Sequence, residues 1–412
     1  MTRRNSFRIA AMALVLVAGT AQAQVYERWR KMHSPSFLPA ELQKSDVHEV
    51  KGRVFTEGYM HEYRVASPYG EFGASGDAML RRLVRELHAI KAMEEVSGTE
   101  AFADATVEVL KSPYAALKAL ATDPVATVSG VPKGIGRVFE GIGESLAGDE
   151  SEYEDNEVEA LLTLSKFKRQ YSAELGIDVY SSNPVVQTEL NRIGWSAAIG
   201  NFTPSILTMP ISGPVIVVAK SLDWVDALND ALVEKAPSAL RVDNTEYLEK
   251  MGIDEALITR FLDHPLYSPR HETVIVYALH GMEGVRGREH ILRLALDAES
   301  EVQALSFQQL AEMLAGYHRE RSPIVEIRPF RNLVVSKTKN GNLVVMAPLD
   351  EGRWTLRAAR AMHELTSNPP GGTPNGFELI VTGTLSDRTR KKTQAMGIDT
   401  TERANVLFGL LD

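Results

Sequence analysis

Residues 324–347 read IVEIRPFRNLVVSKTKNGNLVVMA, and this stretch decides the class of fold. Its two ends, 324–336 and 343–347, are rich in the β-branched residues that favour strands. Between them lies Asn340-Gly341, a pair that is typical of a two-residue hairpin turn. The sequence therefore predicts two strands joined by a tight turn in this part of the chain.

The residues that follow predict a small domain around this hairpin. A helix is expected over 354–365 and a strand over 377–382. Ser386 is a favoured N-cap residue for a last helix, which should end at Gly397. Residues 321–412 are thus predicted to form a small C-terminal α/β domain of order β-β-α-β-α.

The preceding residues contain short strands and then helices. Alternating apolar and polar residues over 47–66, broken by turn residues, predict two or three short antiparallel strands. Asp77 then opens a segment with helical spacing. Its apolar stripe consists of Leu80, Leu83, Val84, Leu87, Ile90 and Met93.

Helical patterns then continue to about residue 320, so the predicted class is α+β and mostly α. It comprises short N-terminal antiparallel strands, a large helical block and the small C-terminal α/β domain. The expected organisation is a signal peptide (1–23), a lead-in segment (24–46), strands plus amphipathic helices (47–148), a helical domain (149–320) and the C-terminal domain (321–412).

The first 23 residues have the pattern of a cleavable secretory signal. Arg3, Arg4 and Arg8 precede the apolar run 9–18, and Ala21-Gln22-Ala23 is an Ala-x-Ala cleavage site. Ten apolar residues are too few to cross a hydrocarbon core of roughly 30 Å as a helix. The sequence therefore predicts export to the periplasm or the extracellular space.

Composition excludes several classes of chemistry. The chain has no cysteine, which rules out disulfides, thiolate nucleophiles and cysteine-held metal clusters. Without the signal there are 42 basic and 54 acidic residues, a formal charge of −12. That balance argues against general binding of nucleic acid, so we expect an acidic, soluble protein with no nucleic-acid partner.

A glycine-edged segment over 133–147 is the most distinctive feature. On a helix, four glycines would line both edges of one narrow apolar stripe. It could pack closely on a neighbouring helix, or it could dock on a membrane surface or a protein partner. A nucleotide-binding loop is not indicated, because the glycine spacing fits neither phosphate-binding fingerprint. The candidate binding residues of the stripe are Ile135, Val138, Phe139, Ile142 and Leu146.

A second unusual segment, 193–219, contains no charged residue. Three prolines and three glycines interrupt it, so it cannot be a simple spanning helix. Buried core of the helical block is the favoured interpretation. Contact with lipid or with a hydrophobic ligand is the alternative.

Catalytic and metal-binding patterns are weak. His363 and Ser386 are the candidate catalytic residues, although an ordinary N-cap role is favoured for Ser386. Neither a metal site nor a cofactor is predicted, because no pair of histidines has the spacing that holds two ligands on one element. Capping or exposed roles are expected for the central histidines, which are His264, His271, His280, His290 and His318.

The sequence favours a non-enzymatic exported protein that binds a partner surface, with membrane lipid as one candidate, through the glycine-edged segment. Two alternatives remain. One is an exported hydrolase-type enzyme whose site is assembled only in three dimensions, and the other is a secreted effector or toxin.

Overall fold

The protein was analysed as a computed structural model, which describes residues 26–57, 59–97, 99, 154–199 and 223–411. Antiparallel strands lie near the N-terminus of this part, helices occupy its middle, and a mixed sheet lies in the C-terminal region. The predicted α+β class is therefore confirmed. The predicted signal peptide (1–23) lies outside the described residues, and so does the glycine-edged segment.

The N-terminal sheet is antiparallel. Its strand β4 is central, since it pairs with β2 and β3 along one edge and with β5 along the other. The strands and the short helix α1 between them are β1 (Lys31–His33), α1 (Ala40–Gln43), β2 (Glu49–Val50), β3 (Arg53–Glu57), β4 (Met60–Ser67) and β5 (Gly70–Ser75). The predicted short strands are present, and His61, Tyr63 and Val65 of β4 share its buried face.

Helix α2 (Asp77–Ser97) packs against this sheet. It begins directly after Gly76, whose φ of +96° is a conformation that residues with a side chain rarely adopt. All six residues of the predicted apolar stripe are buried, at roughly 1.5–3 kcal/mol of stabilisation each. The spacing of the stripe therefore predicted both the helix and its buried face.

In the described ranges, eight further helices belong to the helical block. They are α3 (Glu154–Glu174), α4 (Pro184–Ile199), α5 (Asp223–Glu234), α6 (Pro237–Lys250), α7 (Glu255–Leu262), α8 (Pro269–His280), α9 (Glu289–Ala295) and α10 (Glu301–Glu320). None of the helices in the described ranges is long and apolar enough to cross a membrane. Of the uncharged segment, residues 193–199 are described, and Ile193 and Trp195 among them are buried in α4.

The C-terminal sheet has the strand order β12-β10-β8-β7-β6. Strands β8, β10 and β12 are parallel, while β6 and β7 complete the sheet in antiparallel pairings. The elements are β6 (Ile324–Phe330), β7 (Leu333–Thr338), β8 (Leu343–Ala347), β9 (Glu351–Gly352), α11 (Leu356–Ser367), β10 (Phe377–Val381), β11 (Thr384–Leu385), α12 (Asp387–Ala395), β12 (Ile398–Thr401) and α13 (Ala404–Phe408).

The predicted hairpin is present between β7 and β8, with Gly341 at a φ of +85°. The stretch predicted as one strand over 324–336 is divided, because the chain turns at Arg331 (φ +56°) and pairs β6 with β7. Strand β12, which the sequence pattern did not indicate, follows Gly397. The observed order is thus longer than the predicted β-β-α-β-α, although the class is the same.

Both faces of the C-terminal sheet are covered. Val344 and Met346 belong to a core shared with α10, whereas Leu343 and Val345 belong to a core shared with α11. Parallel strands that are buried on both faces bring the loops at their carboxyl ends to one edge of the sheet. This edge contributes to the cavity described next.

Candidate functional site

A large cavity of about 1230 Å³ lies where the N-terminal sheet, the helical block and the C-terminal sheet meet. The C-terminal sheet contributes residues that follow its three parallel strands, namely Asp350 after β8, Thr382 after β10 and Arg403 after β12. The carboxyl edge of parallel strands is the usual position of ligand sites in α/β sheets. The cavity is therefore the candidate site.

Arginine is the commonest charged residue on the cavity wall. Among the described residues, seven arginines and six acidic residues line it. Arg81, Arg82 and Arg85 come from one helix, α2, whose first residue Asp77 also lines the cavity. An α-helix rises about 1.5 Å per residue, so Arg85 lies roughly 12 Å from Asp77 along the helix axis. The positive charges of α2 therefore extend along the cavity wall.

Asp350 joins three parts of the protein at one point of this wall. One oxygen of its buried carboxylate accepts the backbone N–H of His61 at 2.8 Å, and the other accepts the backbone N–H of Asp77 at 3.0 Å. The backbone N–H of Asp350 in turn donates to the carbonyl of Tyr59 at 3.1 Å. Strand β4 and the first residue of α2 are thus both held by the loop after β8.

His61 and Asp77 form a dyad at this junction. The Nδ1 atom of His61 lies 2.8 Å from Oδ1 of Asp77, and the hydroxyl of Tyr63 donates to the same oxygen at 2.5 Å. His61 is 5% exposed. Its other ring nitrogen, Nε2, is buried and has no hydrogen-bond partner among the described residues. The ring therefore has one nitrogen fixed by a carboxylate and one with unused hydrogen-bonding capacity.

Phe37 packs against this imidazole, with 4.9 Å between the ring centroids and a tilt of 52°. Phe37, His61 and Asp77 all line the cavity. Phe37 is half-buried and follows a short 3-10 turn, Ser34–Ser36. Phe37 therefore borders both the imidazole ring and the cavity.

The charges of the dyad stabilise one another. Burial alone would lower the pKa of His61, but the hydrogen bond to Asp77 and the charges of Asp77 and Asp350 outweigh burial and raise it. Burial would likewise raise the pKa of Asp77, yet the hydrogen bonds from His61 and Tyr63 hold it below its ordinary value. The imidazole thus has a raised affinity for a proton next to a carboxylate that stays ionised.

Two neighbours have shifted pKa values for a different reason. Burial, together with the nearby charge of Asp77, raises the pKa of Tyr63, so its hydroxyl remains a hydrogen-bond donor. Burial and the charge of Asp77 also raise the pKa of Asp350, and they outweigh the two backbone N–H groups that favour its carboxylate. The ionised form of Asp350, which holds the backbone of the dyad, is therefore disfavoured by burial and by the neighbouring Asp77 carboxylate.

His61, Asp77 and Asp350 are also the one group among the described residues whose ligand atoms come close enough to hold a metal ion, within 4.8 Å of one another. The hydrogen bonds argue for a different use. Oδ1 of Asp77 already accepts two hydrogen bonds, and both oxygens of Asp350 accept backbone N–H groups. Because these hydrogen bonds already hold the three side chains together, we interpret the cluster as a hydrogen-bonded network.

The residues singled out from the sequence lie elsewhere. His363 is exposed on α11, with Nε2 3.5 Å from the hydroxyl of Ser367. Ser386 is the N-cap of α12, where its hydroxyl accepts the backbone N–H of Thr389 and donates to the carboxylate of Glu27 at 2.6 Å. Neither residue lines the cavity. The predicted binding residues Ile135, Val138, Phe139, Ile142 and Leu146 lie outside the described residues.

Three central histidines have backbone partners. His271 belongs to a capping box with Ser268 at the start of α8, His264 accepts the backbone N–H of Leu266, and His318 accepts that of Ile324. The His280 ring contacts that of Tyr247 at a tilt of 40°, and His290 lies 3.9 Å from Glu289. Of the five, His271 lines the cavity.

Sequence reasoning missed the His61–Asp77 dyad, although it predicted the strand that carries His61 and the helix that Asp77 opens. The local signal was the alternation of His61 and Tyr63, which places both side chains on one face of a strand. Nothing in the sequence indicated that this face meets Asp350, which is 289 residues away from His61.

Comparisons of the chain with protein-family models, with curated proteins and with solved structures find no match. The functional argument therefore rests on the geometry of the cavity.

Proposed function

We propose that this protein is a hydrolytic enzyme in which His61 acts as a general base on a substrate bound in the arginine-rich cavity. The observation that carries the proposal is the His61 ring, whose Nδ1 lies 2.8 Å from the Asp77 carboxylate while Nε2 has no partner among the described residues. An imidazole oriented in this way by a carboxylate is the usual arrangement of a catalytic base.

The hydrogen bond to Asp77 selects the useful tautomer. A carboxylate accepts hydrogen bonds only, so the proton of the neutral ring lies on Nδ1 and the lone pair on Nε2. Because Nε2 is buried in this structure, the mechanism requires a water to enter beside it when substrate binds. That water would transfer a proton to Nε2 as its oxygen attacks the electrophilic centre of the substrate. The same proton then passes from Nε2 to the leaving group, which restores the neutral imidazole.

Asp77 and Asp350 act through His61 and not on the substrate itself. Asp77 stabilises the imidazolium that forms when Nε2 takes up the proton. Asp350 positions the ring, because it holds the backbone of both His61 and Asp77. The arginines of the cavity wall favour a substrate that carries negative charge.

The test is hydrolysis of p-nitrophenyl phosphate, bis(p-nitrophenyl) phosphate and p-nitrophenyl acetate by the full chain. We expect turnover of at least one ester, with kcat/KM lowered on the order of 10²–10⁴-fold in His61→Gln, as is usual on loss of a general base. His363→Gln is the matched control, since His363 is exposed and away from the cavity. Absence of any His61-dependent turnover across the three esters would overturn the proposal.

The pH profile is a second readout. A general base works in its deprotonated form, so kcat/KM should rise with pH through a pKa above the ordinary 6.5 of histidine. Asp77→Asn should move that pKa downward, because the partner that raises it has lost its charge. A profile that does not move would remove His61 from the mechanism.

Chemical modification keeps the proposal testable if His61→Gln does not fold. Diethyl pyrocarbonate acylates unprotonated imidazole nitrogens, and peptide mapping identifies the modified histidine. We expect Phe37→Ala to speed the modification of His61 and to leave that of His363 unchanged. Loss of activity should parallel the modification of His61, and full activity in a protein acylated at His61 would contradict the proposal.

The predicted export and the predicted docking of the glycine-edged segment on a membrane or a protein partner stay predictions. Both depend on residues outside the described ranges. An exported hydrolase is compatible with either of them.

A further inference from the structure

The wall of the cavity formed by the helical block contains two buried polar side chains that the proposed mechanism does not use. Arg169 of α3 is 7% exposed, and Tyr180, in the loop between α3 and α4, is 8% exposed. Both line the cavity. Arg82 and Glu86 of α2 also line the cavity, and the helical rise places them about 8 Å and about 14 Å from Asp77 along that helix.

Arg169 is a buried cation whose one side-chain hydrogen bond within the described part of the chain goes to a neutral group. Its Nε donates to the backbone carbonyl of Val233 at 2.9 Å, and it forms no ion pair within 4.0 Å with an acid among the described residues. Burial lowers the pKa of Arg169. Because a buried charge is costly when no opposite charge compensates it, this guanidinium is suited to an anion supplied from the cavity.

Tyr180 is a buried phenol whose hydroxyl has no hydrogen-bond partner among the described residues. Leaving such a group unsatisfied usually destabilises a protein, so its presence on a cavity wall needs a reason. The Tyr180 hydroxyl and the Arg169 guanidinium influence each other electrostatically, since the charge of Arg169 acts to lower the pKa of Tyr180 against the effect of burial. A single ligand group could accept hydrogen bonds from both.

The acidic groups of this wall are already engaged. Arg82 pairs with Glu86 at 3.3 Å and with Asp178 at 3.6 Å, and Asp178 also accepts the backbone N–H of Tyr180. Arg270 lines the same wall. Arg169 and Arg270 are therefore the guanidinium groups of the helical block on this wall that form no ion pair with an acid among the described residues.

We propose that Arg169, Tyr180 and Arg270 form a subsite for a phosphate group of the substrate, an inference that rests on the proposed hydrolytic function. A phosphate has enough oxygens to accept from the guanidinium fork of Arg169 and from the hydroxyl of Tyr180 at the same time. The substrate class is then a phosphate-bearing molecule, whose phosphate lies on this wall and whose reacting bond lies at His61.

The test is a calorimetric titration of the full chain with inorganic phosphate. It measures binding and does not depend on catalytic turnover. We expect saturable binding that weakens roughly 10-fold or more in Tyr180→Phe and in Arg169→Gln, as is usual when a hydrogen bond to a charged group is lost. Acetate, which has two oxygens, should bind more weakly than phosphate. Arg357→Gln is the control, because Arg357 is exposed on α11.

Thermal unfolding separates a binding role from a structural one. Tyr180→Phe removes a hydroxyl without a partner, so its Tm should be unchanged or higher while phosphate binding falls. Tyr267→Phe should show the opposite pattern, since the Tyr267 hydroxyl donates to the carbonyl of Ala295 at 2.8 Å and does not line the cavity. A Tm that falls in Tyr180→Phe with phosphate affinity retained would overturn the subsite.

Two further outcomes would also overturn it. One is the absence of phosphate binding to the wild type, and the other is acetate binding as tight as that of phosphate. Neither depends on turnover, so the subsite and the hydrolytic function fail separately. His61→Gln should bind phosphate as tightly as the wild type if the two ends of the cavity act independently.

Discussion

The carboxylate of Asp350 accepts the backbone N–H of Asp77 at 3.0 Å, although 273 residues separate the two along the chain. The second oxygen of the same carboxylate holds the backbone of His61. One side chain from the carboxyl edge of the C-terminal sheet thus sets the relative position of a strand and a helix from the N-terminal part. The proposed dyad depends on this relationship.

Asp350→Asn should destabilise the protein by about 1–3 kcal/mol, because one oxygen becomes an NH₂ group that faces a backbone donor and leaves it unsatisfied. Loss of a buried charge offsets part of that cost, since burial raises the pKa of Asp350. Urea unfolding at pH 7 measures the change. Asp399→Asn, at an exposed position of β12, should have almost no effect. Equal stability of the two variants would contradict the positioning role.

His271 should make the protein less stable in mild acid. Burial, followed by the charge of Arg82, lowers its pKa to about 3, whereas the unfolded chain takes up the proton near 6.5. The stabilising contribution is therefore complete above pH 6.5 and is lost as the pH falls below it. Between pH 7 and pH 5 the loss should be about 2 kcal/mol in the free energy of unfolding.

The variant that tests this is His271→Gln, because glutamine at the third position of a helix can keep the capping box with Ser268. Urea unfolding at several pH values should show a smaller decrease towards pH 5 in the variant than in the wild type. Parallel curves for the two proteins would show that His271 is not the group responsible.

Gly316 allows α13 to pack closely on α10. A Cβ at this position would lie 2.7 Å from Cβ of Phe408, an atom next to the backbone that cannot move aside alone. Gly316→Ala should therefore cost about 1–3 kcal/mol, as overpacking usually does, despite a gain of about 1 kcal/mol in helix propensity.

Gly281→Ala is the matched control for Gly316. Its φ is −62°, and a Cβ there would approach its nearest neighbours at an ordinary 3.6 Å. Thermal unfolding should show a lower Tm for Gly316→Ala than for the wild type. The Tm of Gly281→Ala should be close to that of the wild type. A stable Gly316→Ala protein would show that α13 has room to shift.

Much of the fold could be predicted because its signals are local. The apolar stripe of α2 repeats within a few residues, the Asn340-Gly341 turn joins adjacent strands, and Ser386 caps the helix that it precedes. The division of the predicted strand 324–336 was missed because the tight turn at Arg331 uses a residue that rarely adopts a positive φ. Side-chain periodicity does not reveal such a turn.

Local sequence patterns were enough to predict the α+β class and the helix that starts at Asp77, and the alternation of His61 and Tyr63 puts both on one strand face. These follow from interactions between residues close together in the chain. The contacts of this face with Asp77 and Asp350, which lie 16 and 289 residues from His61 along the chain, arise from the packing of distant segments. The same packing also decided the ionisation of the site, because pKa values depend on burial and on charges that the fold brings together. Neither these spatial contacts nor the burial of the groups can be read from a single sequence.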